Sequence, residues 1–78
     1  MNLDDRIAAL QLRMGKRIVL RGVRDPDPRW RGRITERPQH FLLEYRDATP
    51  GFFWHHDIIR ELLDLLEHGQ RDVTLKDD

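Results

Sequence analysis

Between Arg29 and Thr35 the chain alternates without exception. Trp30, Gly32 and Ile34 fall on one parity, and Arg29, Arg31, Arg33 and Thr35 on the other. Successive side chains of a strand leave opposite faces of the pleat, so this pattern predicts a half-buried β-strand with one apolar and one basic face. Gly32 in its middle implies a sharp bend or a close backbone approach. Turn chemistry encloses the strand on both sides. Arg24 to Pro28 contains two prolines, which lack an amide donor and cannot continue a central strand. Arg37, Pro38 and Gln39 make the next turn, and Thr49, Pro50 and Gly51 suit a type II turn.

The neighbouring segments fit the same scheme. Arg17 to Val23 reads as a first strand, with Ile18 and Leu20 alternating with Arg17 and Arg21, although Val19 and Val23 blur the pattern. His40 to Arg46 is a third strand, carrying Phe41, Leu43 and Tyr45 on one face, and Phe52 to His55 is a short fourth. Leu3, Ile7, Leu10 and Met14 form one stripe of an amphipathic helix over Leu3 to Met14. Asn2 is its N-cap, Asp4 and Asp5 complement the helix dipole, and Gly15 ends it. Asp57 caps a second helix running to about His68. Its broad apolar face holds Ile58, Ile59, Leu62, Leu63, Leu65 and Leu66, and Gly69 closes it. Val73 to Leu75 makes a last short strand. The order is α-β-β-β-β-α-β. Four short strands in succession, one bent by glycine, predict an α+β domain. Its expected form is a small, curved antiparallel barrel of SH3-like or Sm-like type, with an N-terminal helix and a C-terminal helix before the last strand. The alternative is an open antiparallel sheet with both helices on one face. The 78 residues make a single domain, 1–78.

Composition narrows the function classes. The absence of cysteine excludes a disulfide framework, thiol catalysis and a thiolate zinc site, and fits a reducing, cytoplasmic setting. Residues 1–12 lack the apolar run of a signal peptide, and no apolar stretch approaches the length of a membrane span. The formal net charge is zero but unevenly spread. From Arg13 to Arg37 nine Lys/Arg face three Asp/Glu, a net +6; from Pro38 to Asp78 four face nine, a net −5. Such a split either makes a basic and an acidic face or lets one half neutralise the other, within the fold or between subunits.

The arginine parity carries the most chemistry. Arg29, Arg31 and Arg33 would stand about 7 Å apart along a strand, a spacing comparable to that of successive phosphates. Arg17, Arg21 and Arg37 would support them, as in sequence-tolerant nucleic-acid binders. The alternative is a solvated strand face paired to Glu44 across the sheet or to the acidic second helix. The aromatics Trp30, Phe41, Tyr45, Phe52 and Trp54 share the apolar parity and belong in the core; Phe53 has the other parity and is a candidate partner contact, with Ile59 and Leu63 on the wide helix face. His55 and His56 are strand neighbours pointing apart, which disfavours a shared metal ion. No nucleophile elbow, P-loop, dinucleotide-binding or metalloprotease pattern occurs, so no enzyme, metal or cofactor is expected.

The helix at Leu3 to Met14, the Gly32-Arg33-Ile34 step, the Phe41-Leu42-Leu43 strand and the Trp54-His55-His56 step together resemble the Sm-like RNA-binding family, including its Hfq-like members, over roughly residues 3–56. The resemblance implies RNA binding, assembly of copies into a homo-oligomeric ring, His55 and His56 near a uridine-binding pore, and Arg13, Lys16 and Arg17 on a basic rim. The strands bearing Trp30, Tyr45 and Trp54 are similarly compatible with tudor-type barrels that bind peptides. The expected function is a non-enzymatic RNA- or DNA-binding module. The alternative is a protein-interaction or self-associating adaptor domain.

Overall fold

The computed structural model describes residues 2–24, 27–47 and 52–76, with side chains throughout except at 52–54. Phe52, Phe53 and Trp54 enter below only as helix backbone, and the expected turn at Thr49, Pro50 and Gly51 lies outside the described residues. The elements are α1 (Leu3–Met14), β1 (Arg17–Val23), β2 (Trp30–Glu36), β3 (His40–Arg46), α2 (Phe52–Glu67) and β4 (Val73–Lys76). The chain is an α+β domain of two helices and a four-stranded mixed sheet.

Helix α1 begins and ends on local signals. The Asn2 side chain accepts a hydrogen bond from the Asp5 amide at 2.8 Å. Gly15 takes a left-handed conformation, φ 66°, and its amide returns to the Gln11 carbonyl. Such a φ costs glycine little and a residue with a Cβ more.

The strand order is β1-β3-β2-β4. β3 pairs antiparallel with β2 through the short Arg37–Gln39 turn, and β2 pairs antiparallel with β4. β1 pairs parallel with β3, from Arg17 opposite His40 to Val23 opposite Arg46. Two features depart from the expected barrel. The sheet is mixed, and it is open, with β1 and β4 as its edges. The fourth strand expected at Phe52 to His55 is instead the first turn of α2, so Asp57 lies inside that helix, pairing with Arg60, and does not cap it. The helical period accounts for this: His55, Ile58, Ile59 and Leu62 continue one stripe backwards past the expected start.

Both helices pack on one face of the sheet, α2 over β2 and β3, α1 over β1 and against α2. Ile18, Ile34, Phe41 and Leu43 from the strands meet Leu10, Ile58, Ile59, Leu62, Leu63 and Leu66 from the helices in one apolar core. Gly32 permits this approach. A Cβ there would lie 3.0 Å from the Glu44 carbonyl oxygen and 3.2 Å from Ile58 and Leu62 side-chain carbons. Arg6 ties the helices together through Glu67, at 3.0 Å, and Asp64. These hydrogen bonds, the one to Glu67 first, raise the Arg6 guanidinium above its already high ordinary pKa.

Candidate nucleic-acid interface on the bare sheet face

The opposite face of the sheet carries no described helix. Its residues follow from the register. Ile18, Phe41 and Leu43 face the core, so Arg17, Val19, Arg21 and Val23 of β1 lie on the bare face opposite His40, Leu42, Glu44 and Arg46 of β3. Arg33 and Thr35 of β2 join them, with Thr74 of β4 opposite Arg33.

A bulge decides the rest. Trp30 pairs with Lys76 and Gly32 with Leu75, so two β2 residues advance where β4 advances one. Such an irregularity re-aims the side chains beside it. Trp30 passes to the bare face. It is 3% exposed yet outside the core cluster, and the Arg33 guanidinium stands 5.5 Å from its ring centroid. Arg31 turns the other way and pairs with Glu61 on α2. The expected even row of Arg29, Arg31 and Arg33 is therefore broken. Arg29 lies in the turn before β2, where its backbone amide donates to Asp27 Oδ1 at 2.9 Å. The pairing of Arg33 with Glu44 and of Arg31 with the acidic helix matches the alternative reading of that stripe.

At the centre of the face a row crosses three strands. Glu44 is buried, and its two oxygens receive Arg33 Nε at 3.0 Å and Arg21 Nη2 at 3.1 Å. Burying a carboxylate is costly unless it is paired and hydrogen-bonded, and here both oxygens are engaged. Two guanidinium groups share one carboxylate, so the row keeps one positive charge, and Arg21 stays well exposed above it. Arg17, Arg46 and Lys76 extend the cationic surface. Five cations thus face one carboxylate across the strands of this side. Arg17 has no ion pair among the described residues. Arg46 donates through Nη1 to the Pro28 carbonyl oxygen, while its Nε and Trp30 Nε1 are buried without hydrogen-bond partners among the described residues.

The other sequence candidates scatter. Arg37 is exposed in the β2–β3 turn. His55 sits in the first turn of α2, 5.1 Å from Tyr45 between ring centroids, with Nε2 3.3 Å from Asp47 Oδ1 but outside hydrogen-bond geometry. His56 lines a groove on the helix side with Leu3, Ile7, Leu20, Ile59 and Arg60. The two histidines thus belong to helix α2 and not to the basic face. Ile59 and Leu63, expected as partner contacts, are buried in the chain's own core. The Phe53 side chain lies outside the described residues. Glu44 as the hub of the row has a sequence signal, a lone acid at polar parity opposite basic strands. The re-aiming of Trp30 and Arg31 has none, because it arises from pairing with β4. Among the described residues no three His, Asp or Glu side chains gather as a metal site, and no helix is long and apolar enough to cross a membrane.

No protein-family model matches this chain, and neither a curated protein nor a solved structure matches it.

Proposed function

We propose that the protein is a non-enzymatic module that binds single-stranded RNA or DNA on the bare face of its sheet. The observation that carries this reading is the Arg21–Glu44–Arg33 row, with its surplus positive charge, set beside Trp30 and flanked by Arg17, Arg46 and Lys76. An exposed face of cations fixed by a buried carboxylate presents guanidinium groups in a preset array. Cations of such a surface neutralise phosphates and release the counterions condensed on the nucleic-acid strand, and that release drives binding. Buried Trp30 holds one guanidinium in place and is not itself a stacking platform. The candidate residues from the sequence that remain in the site are Arg17, Arg21 and Arg33. The resemblance to Sm-like proteins supports RNA over DNA, and the lack of cysteine supports a reducing, cytoplasmic setting.

The test is fluorescence anisotropy of labelled single-stranded oligonucleotides at several salt concentrations. Affinity should fall steeply with salt. Arg17→Glu should weaken binding to all sequences and flatten the logarithmic salt slope by about 0.7 for each lost phosphate contact. Glu44→Gln should tighten binding, because it removes the carboxylate charge at the centre of the row while leaving an amide oxygen to accept from a guanidinium. An absence of binding at low salt would sink the proposal. A preference for RNA would favour the Sm-like resemblance, and equal affinity for RNA and DNA would count against it.

A further inference from the structure

Of the two large apolar side chains most exposed among the described residues, Leu20 at 37% lies on the edge strand β1 itself, and Leu12 at 86% lines a groove with Lys16 and Arg17 where β1 begins. Seven residues long and free of proline, β1 pairs on one side only among the described residues. A strand edge of this kind is a template for another strand unless it is blunted.

The direction of its backbone groups is fixed by two hydrogen bonds. The Val23 carbonyl accepts from the Asp47 amide at the β3 side. The Ile18 amide donates the other way, to Gln11 Oε1 of α1 at 2.9 Å. Backbone groups alternate along a strand, so Ile18, Leu20 and Gly22 face outward. Gln11 shields one end of the edge at the Ile18 amide. Beyond it the Leu20 and Gly22 amides and the Ile18, Leu20 and Gly22 carbonyls point away from the sheet. Ala8, Gln11 and Leu12 of α1 flank the start of β1.

We infer that two copies of this chain pair antiparallel through β1, about a two-fold axis at Leu20. A two-fold perpendicular to the sheet keeps both pairs of helices on one side, and opposed residues must then share a face. That leaves only registers centred on a residue. Centring on Val19 sets Arg17 against Arg21 of the other copy, and centring on Arg21 sets that arginine against itself; like charges directly opposite destabilise a pair. Centring on Ile18 or on Gly22 leaves one end of the strand unpaired. Centring on Leu20 pairs all seven residues, with Leu20 facing Leu20, Ile18 facing Gly22, Val19 facing Arg21 and Arg17 facing Val23. It opposes no two charges. The two Leu20 amides and carbonyls exchange hydrogen bonds, and each Gly22 amide meets the Ile18 carbonyl across the seam. The closest like charges are the two Arg21 side chains on the diagonal, and each is held by Glu44 of its own chain. The zero net charge adds no global repulsion. The product is a closed two-fold dimer with an eight-stranded sheet, not a ring, and it places the two bare faces side by side.

The chain has no native cysteine, which makes the register directly readable. Opposed residues of a hydrogen-bonded antiparallel pair have Cα atoms about 5.5 Å apart, within disulfide reach. Leu20→Cys should therefore form a covalent dimer under mild oxidation. Val19→Cys, two residues out of register with its own copy, should form far less. Analytical ultracentrifugation of the unmodified protein should show a reversible dimer. Val19→Glu, opposite Arg21 of the other copy, should tighten it several-fold, and Val19→Arg should loosen it by a similar factor. A monomeric mass up to millimolar concentration, or cross-linking at position 19 as fast as at position 20, would overturn the inference. None of these readouts involves nucleic acid, so they stand or fall apart from the binding proposal.

Discussion

On its helix-covered side the sheet presents Ile18, Ile34, Phe41 and Leu43 to two helices, and Leu62 and Leu63 reach it fully buried. On its bare side the same strands present arginines around Glu44, with Trp30 the large apolar group buried there. One side gains stability from removing apolar surface from water, which is non-directional and tolerates exchange of shape among hydrophobes. The other side depends on directed hydrogen bonds between charges, which fix geometry more than they add stability. The same backbone therefore carries a folding face and a face free to be specialised. The two should respond differently to substitution.

The largest expected effect lies on the covered side. Leu62→Ala should lower unfolding free energy by about 2–5 kcal/mol, through lost burial and the cavity left behind. Leu42→Ala, on the bare face and only half-buried, should cost clearly less. Urea denaturation of both variants measures the contrast, and equal losses would mean that the bare face is itself a core. Next comes the seam between the two sides. Gly32→Ala would push a methyl against the Glu44 carbonyl on one side and Ile58 and Leu62 on the other. Such overpacking costs about 1–3 kcal/mol, and a neutral result would show that α2 can shift outward at no cost.

Much of the covered side was legible in the sequence. The stripe Leu3, Ile7, Leu10 and Met14 with its Asn2 cap and Gly15 stop gave α1, and alternation gave β1 and β3, because each of these signals acts over a few residues. The bare side was less legible. Whether Trp30 faces the core or leaves it depends on one extra residue in β2 relative to β4, where Trp30 meets Lys76 from the far end of the chain. The parallel pairing of β1 with β3 is also non-local. It needs β2 to return between them in sequence yet lie outside them in space, and that choice is absent from any local period. Phe52 to His55 reads as a strand in the sequence, because four residues are too few to separate an aromatic strand from the first turn of a helix.

A smaller effect belongs to the clamp that holds α1 onto α2, at the rim of the covered side. Arg6→Ala removes the pairs to Glu67 and Asp64, which are partly solvated. The loss should be within about 1 kcal/mol and should shrink as salt rises, whereas the Leu62 loss should not. Thermal melts at low and high ionic strength separate the two, and a salt-independent loss of several degrees would mean that the aliphatic stem of Arg6, and not its charge, does the packing.

The smallest expected effect lies at the end of the bare face, where the turn before β2 delivers Trp30. The Arg29 amide donates to Asp27, and this hydrogen bond first, aided by the Arg29 charge and opposed by desolvation, holds the Asp27 carboxyl below the ordinary aspartate value of 3.8. A carboxyl whose folded pKa is depressed adds stability above its unfolded value and loses it as pH falls through the lower folded value. The Asp27→Asn variant should thus differ slightly from the parent protein at neutral pH and converge with it in strong acid. Carboxyl resonances followed by NMR across the acid range give the direct measurement. A midpoint for Asp27 below 3.8 is expected. A midpoint at or above that value would mean that the turn does not hold the carboxylate in solution, and the aim of Trp30 would then rest on the β4 register alone.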